Sequence, residues 1–389
     1  MKRLPIATIV LLFAARIASA QSLDDLNIQI HGYATQGFLY TTQNNIFTTN
    51  SSDGSPAWTE AVVNLTSQPS EKLRIAVQAR YFLLGNYGNA ITLDYAMADY
   101  KVNDRFGIRF GKVKTPSGLF NETSDIDPAY LWSLLPQSIY PITSRNSFLS
   151  HYGGVAYGTL TLPPKIGKLE YRAWGGERSI SSDDGYFLAE REQGAVLPNG
   201  TATAIAGAAL HWKTPLPGFM IGASINHDAL GTDAATETIP GYGTFNGTVT
   251  TSAAYEPQFF AVYEKTRLTL AGEYTRSPTT AVLQIPYLPS QVVTVDYRSW
   301  YGMASYKVTP KLTAGVYDSQ IFNRQTALGP ARFSKDWVLS TRYDFNQFLY
   351  AKAEQHFIDG TAQDFDTDLN PGGLKPSTKL TILKVGVSF

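Results

Sequence analysis

The side chains of this chain that could act as a set are charged. Arg74, Arg80, Arg109, Lys112 and Lys114 supply bases, Glu122, Asp125 and Asp127 supply acids shortly after them, and Arg172, Arg267 and Arg342 follow later. Bases on one wall of a wet gap and acids on the other make a transverse field. Such a field orients a dipolar or ionic solute and makes its passage depend on charge and size. The same residues could also close on one another as ion pairs that hold a segment in place, and the two uses are compatible. Covalent chemistry has no comparable set. His31, His151, His211, His227 and His356 are widely spaced, with no nucleophile elbow and no His-x-x-Glu-His pattern around them. Cysteine is absent, which removes thiolate chemistry, disulfides and zinc-cysteine sites. The acidic stretch from Asp359 through Asp364, Asp366 and Asp368 departs from EF-hand spacing and reads as a solvated loop. No catalytic residue, metal site or cofactor is assigned.

These charges need strands to position them. Leu73, Ile75, Val77 and Ala79 alternate with Arg74, Gln78 and Arg80, and Leu169, Tyr171 and Ala173 alternate with Lys168, Glu170 and Arg172. Leu268, Leu270 and Tyr274 oppose Arg267, Thr269 and Glu273; Trp337, Leu339 and Tyr343 oppose Asp336, Ser340 and Arg342; Leu349, Ala351 and Ala353 oppose Lys352, Glu354 and His356. A period of two is the mark of a strand with one apolar and one polar face. Sixteen such segments recur, near 27–41, 57–67, 72–83, 91–101, 105–113, 151–161, 167–176, 202–213, 218–228, 253–264, 266–276, 292–307, 311–321, 334–345, 348–358 and 377–389. Tight turns rich in Pro, Asn and Asp alternate with longer polar connections, the longest from Lys114 to Ser150. Asp94 and Asp99 have opposite parity on one strand, which requires a bulge or a position near an interface.

The N-terminus bears Lys2 and Arg3, an apolar stretch from Leu4 to Ala15, then Ala18-Ser19-Ala20. That order predicts an export signal, residues 1–20, cleaved near Ala20, with residues 21–389 forming one domain. Beyond it no apolar run is long enough to span a bilayer as a helix, and mean hydropathy is −0.14. Membrane insertion would have to use strands closed into a barrel. A Lys or Arg at the bilayer midplane costs about 2–4 kcal/mol, so the charged side of each strand would face water and the apolar side lipid. Lys and Arg total 32 against 32 Asp and Glu, and the balance turns acidic once the signal's three bases are removed. A nucleic-acid partner would ask for a basic excess. Tyr numbers 23, Phe 20 and Gly 32, a composition that suits a barrel with aromatic girdles.

The segment Gly111-Lys112-Val113-Lys114-Thr115-Pro116-Ser117-Gly118-Leu119-Phe120-Asn121-Glu122 closes the fifth strand and opens the longest connection. Together with the strand count and a last strand ending on Phe389, it resembles the bacterial outer-membrane porins, both general and phosphate-selective. The resemblance implies an all-β fold, a closed sixteen-stranded antiparallel transmembrane barrel whose long third extracellular loop folds inward and narrows it. It implies a bacterial outer-membrane location, outer-membrane lipid and small hydrophilic solutes as partners, passive diffusion rather than catalysis, and a homotrimer. The connection carries Leu119, Phe120, Ile126, Tyr130, Leu131, Trp132, Leu134, Leu135, Ile139 and Tyr140, so it is expected to pack rather than to float. The signs in the expected lumen are mixed, so phosphate is not carried over as a substrate. An outer-membrane lipase-like barrel and a secreted soluble all-β protein are the rival classes.

Overall fold

In the computed structural model, residues 27–187, 191, 194–326, 328–363, 365 and 367–389 are described; the signal segment and the loop acids Asp364 and Asp366 lie outside them. Sixteen antiparallel strands close into one barrel. They are β1 (Gln29–Thr41), β2 (Ser55–Ser67), β3 (Leu73–Leu84), β4 (Tyr87–Asn103), β5 (Phe106–Lys114), β6 (Ser150–Thr161), β7 (Lys168–Ile180) and β8 (Thr201–Lys213). The second half comprises β9 (Phe219–Asp228), β10 (Ala254–Lys265), β11 (Leu268–Gln284), β12 (Gln291–Lys307), β13 (Leu312–Asn323), β14 (Phe333–Asp344), β15 (Leu349–Gly360) and β16 (Ser377–Ser388). The seam forms between β1 and β16, in register from Tyr33 opposite Ser388 to Thr41 opposite Leu380. Closure leaves no barrel strand with an unpaired edge.

Alternation decides what faces out. Phe38, Val63, Ile75, Phe110, Leu210, Phe259, Leu339, Leu383 and Val385 are exposed, whereas Thr35, Glu60, Gln78, Arg80, Glu273, Ser340, Glu354 and Lys384 on the opposite parity are buried in the interior. Asp318 and Gln320 are exceptions on the outer face, where Gln320 Nε2 donates to Asp318 Oδ2 at 2.7 Å. The parity conflict on β4 resolves as a bulge. Gln78 pairs with Tyr95 and Ala79 with Leu93, so Asp94 is skipped and both Asp94 and Asp99 turn inward.

Two features depart from the expectation. The connection 229–252, read as a polar loop, contains a hairpin, Gly231–Ile239 with Gly243–Thr251, turning at Gly241-Tyr242. Thr248 to Thr251 of this hairpin pair with the upper part of β11, extending the wall on that side. The interior is also less uniformly polar than alternation implies. Leu39, Trp58, Phe82, Leu84, Ile358, Leu380 and Ile382 of the wall enclose Ile46, Phe47 and Leu134. These inward apolar residues give the inserted loops a dry surface to dock on.

Candidate functional site

The connection from Thr115 to Leu149 lies across the barrel interior. It opens at Gly118, whose φ of +66° suits glycine and whose added Cβ would stand 2.4 Å from Glu273 Oε1. Room at this point lets the Leu119 amide donate to Glu273 Oε1 at 3.0 Å. Tyr140 closes the other end of the segment: its hydroxyl accepts from the amides of Leu119 (3.1 Å) and Phe120 (2.9 Å) and donates to Glu273 Oε2 at 2.6 Å. Leu119, Phe120, Tyr130, Leu131, Trp132, Leu135 and Ile139 pack on Ala271, Tyr301, Met303, Tyr317 and Val338 of β11–β14.

Most of the expected charges meet in direct pairs rather than across a gap. Glu122 takes Arg109 at 2.7 Å and Arg172 at 3.2 Å. Asp125, with a fully buried side chain, accepts from Lys114 at 2.7 Å and Gln78 at 2.6 Å. Asp127 accepts from Tyr350 at 2.7 Å and pairs with Lys352 at 3.0 Å and with Lys384. Burial by itself would raise the Asp127 carboxyl; the two ammonium groups more than reverse this and hold it well below the usual carboxylate range. Arg342 donates to the carbonyls of Pro128 and Tyr130, so it holds the loop backbone. Arg80 is buried against Glu60 at 2.6 Å, and Arg74 reaches Asp99 at 3.4 Å from a half-exposed position.

Two expected lumen residues lie elsewhere. Lys112 has the parity of Ile108 and Phe110 and sits on the outer face beside the Tyr152 ring, donating to the Leu93 carbonyl. Lys114 shares that parity but, as the last residue of β5, pairs with Ser150 alone while Lys112 is paired on both sides, and it turns in to Asp125. Arg267 has inward parity but precedes the first residue of β11 and is exposed in the turn. Alternation specifies a face only where a ladder holds the residue.

Several clamp residues escaped the sequence reading. Arg145 of the loop binds Asp94 through two hydrogen bonds at 3.0 and 2.8 Å. Glu354 accepts the amides of Ser133 (2.9 Å) and Leu134 (3.2 Å) and also meets His356 Nε2 at 3.0 Å, while His356 Nδ1 meets Asp336 at 2.7 Å. With both ring nitrogens occupied by carboxylates, His356 has no nitrogen free for a serine hydroxyl. Lys352, Glu354 and Lys384 did carry a signal, inward parity; their loop partners are far away in sequence.

What the loop leaves open is a cavity of about 920 Å³. Its lining includes Thr201, Thr203, Thr275, Ser277 and Thr279 of the β8 and β11 walls and the aromatics Tyr130 and Tyr297. Six acids and four bases line it: Asp228, Asp233, Glu237, Glu256 and Arg178 on the upper wall and mouth hairpin, and Glu60, Asp127, Arg80, Arg145 and Lys384 beside the inserted loop. Arg178 is paired with Asp228.

A closed sixteen-stranded barrel, apolar outside and with charged and hydroxyl groups inside, with a loop inserted across its interior, is the architecture of the bacterial outer-membrane porins. Comparison with solved structures gives the same fold. The chain is similar to Salmonella typhi OmpF in complex with daunomycin (TM-score 0.58, 14% identity, covering 95% of this chain and 99% of that one). It is similar to an anion-selective porin from Comamonas acidovorans (TM-score 0.56, 9% identity, 93% and 99%) and to OmpT, an outer membrane protein of Vibrio cholerae (TM-score 0.56, 12% identity, 95% and 99%). At these identities the likeness is one of fold. No family model matches the chain, and no curated protein matches it in sequence.

Proposed function

We propose that this chain is exported, inserts in the bacterial outer membrane and forms a water-filled channel for passive diffusion of small hydrophilic solutes. The observation that carries the reading is the 920 Å³ cavity between inserted loop and wall, where hydroxyls and charged groups of both signs stand among apolar side chains, inside a barrel whose outer face is apolar. The loop sets the width. Its charges are neutralised by the wall, so Glu122, Asp125 and Asp127 serve as clamps with Arg109, Lys114, Arg172 and Arg342. The acids lining the cavity outnumber the bases six to four, with Asp233, Glu237 and Glu256 at the upper wall and mouth, and the channel favours cations over anions. A homotrimer fits this reading; a trimer form is described for the similar OmpT of Vibrio cholerae. His356 offers no support for a second role, since both of its ring nitrogens meet carboxylates.

Liposome swelling tests this function. Vesicles containing the refolded barrel are expected to swell in isotonic neutral sugars at rates that fall steeply with sugar size. Vesicles that stay impermeable to a pentose, although they contain folded barrel, would overturn it.

A further inference from the structure

The outer face of β11–β14 carries charge where a bilayer-facing wall should carry little. Reading outward residues from the short-turn end, β11 gives Leu268, Leu270, Gly272 and Tyr274 and then Arg276; β12 gives Tyr306, Ala304, Gly302 and Trp300 and then Arg298; β14 gives Tyr343, Thr341, Leu339 and Trp337 and then Lys335. Tyr274 and Trp300 are register partners, and so are Arg276 and Arg298. The cations therefore sit one step beyond an aromatic row, at the long-loop end of the wall. With a rise of about 3.3 Å per residue along tilted strands, Arg276 stands roughly 20 Å above the short turns, near the edge of an apolar band about 25 Å tall.

Like charges placed directly opposite on a sheet destabilise it unless something lies between them. Here that is one carboxylate. Asp296 accepts from Arg276 at 2.8 and 3.2 Å and lies 3.6 Å from Arg298. It cannot saturate two guanidinium forks, and Arg298 Nε is buried without a partner. Arg324 is exposed in the connection that follows β13, with its amide on the Asp296 carbonyl. Lys335 lies over the rings of Phe322 and Phe333 and opposite the exposed Asp359. On this face Arg276, Arg298 and Lys335, with Arg324 just beyond them, stand beside a row of aromatics; of the carboxylates there, Asp296 is shared by two guanidinium groups, Asp359 is opposite Lys335, and Asp318 on β13 is taken by Gln320.

We propose that this patch binds the phosphorylated headgroup of a membrane lipid, whose acyl chains lie along Leu270, Trp300 and Leu339 below it. Planar guanidinium forks match phosphate oxygens, and the aromatic row seats the boundary between chain and headgroup. The chemistry is that of a phosphate, and its position beside an apolar wall assigns it to a lipid rather than to free anion. The inference rests on the reading of this wall as bilayer-facing.

The test is native mass spectrometry of the refolded barrel in detergent, with folding verified by gel mobility before each measurement. Phosphatidic acid is expected to stay bound, whereas phosphatidylcholine and inorganic phosphate at equal concentration are not. The double variant Arg276→Gln/Arg298→Gln should lose about 10-fold or more in apparent affinity for phosphatidic acid. Arg276→Lys/Arg298→Lys, which keeps charge and loses the fork, should lose less. Equal retention of the two lipids, or no change in the Gln variant, would overturn the proposal; inorganic phosphate binding as tightly as phosphatidic acid would overturn the lipid source. If the Gln variant does not fold, Lys335→Gln replaces it, with a loss of about 3-fold expected and no loss counting against the site. These outcomes are independent of solute permeation, so a failed headgroup site and a failed channel reading remain distinguishable.

Discussion

At the residue scale, the inserted loop is held by a few buried charges, and Asp127 is the most committed of them. It serves Lys352, Lys384 and Tyr350 at once. Removing one member of a buried ion pair leaves its partners uncompensated, which costs about 3–5 kcal/mol in typical cases. Asp127→Asn is therefore expected to loosen the loop, seen as faster hydrogen exchange at the Ser133 and Leu134 amides. A variant with unchanged protection would mean that the two lysines are solvated. The pH dependence follows from the depressed carboxyl. Its folded value lies below the unfolded value of about 4, so its contribution is complete above about pH 4 and is lost as pH falls through the folded value. Loop protection should hold from pH 7 to about pH 4.5 and decline only in stronger acid. The sequence showed that Lys352, Glu354 and Lys384 point inward; it did not show whom they meet, because the partners lie more than two hundred residues away and only ring closure brings them together.

At the scale of elements, the strands were legible and their exceptions were not. Charged and polar residues recurring on one parity of β3, β7, β14 and β15, though broken by Phe82, Trp174, Val338 and Ile358, are enough to set the face, since a one-residue slip would put charge outside. Lys112 follows the alternation of β5 and so lies on the outer face, while Arg267 lies before the first residue of its strand. The mouth hairpin 231–251 was missed because its residues are small and hydroxylated, Thr-Asp-Ala-Ala-Thr-Glu-Thr, with little apolar contrast to betray a period of two. The opening of the inserted loop turns on Gly118. A Cβ there meets Glu273 Oε1 at 2.4 Å and the Tyr140 hydroxyl at 2.8 Å in a backbone conformation that other residues rarely adopt. Gly118→Ala should cost roughly 1–3 kcal/mol and raise exchange at Leu119 and Phe120 while leaving the strand amides protected. If the strands also lost protection, the loop would be part of the barrel's folding unit rather than an insert docked on it.

For the whole molecule, the seam between Tyr33–Thr41 and Leu380–Ser388 makes the sheet a closed body, and a closed ladder resists detergent until heated. The unheated protein is expected to migrate apart from the heated one on a denaturing gel; Val385→Pro, which removes a ladder donor in β16 and clashes with its neighbours, should weaken or abolish that difference. Equal mobility of heated and unheated wild type would contradict a stably closed ring. The channel's charge preference belongs to this scale too, because it sums six acids against four bases over a shared cavity. Asp233→Asn/Glu237→Gln should reduce the preference for cations. Raising salt from 0.1 M to 1 M should reduce it in the wild type, as the screening length falls from about 10 Å to about 3 Å.

Planar-bilayer recording of the purified barrel under a KCl gradient tests the central claim most directly. Stepwise conductance with a reversal potential displaced toward that of K⁺ is the predicted result. A folded, heat-modifiable barrel that inserts and passes no ionic current would contradict the account of a wet, conducting interior.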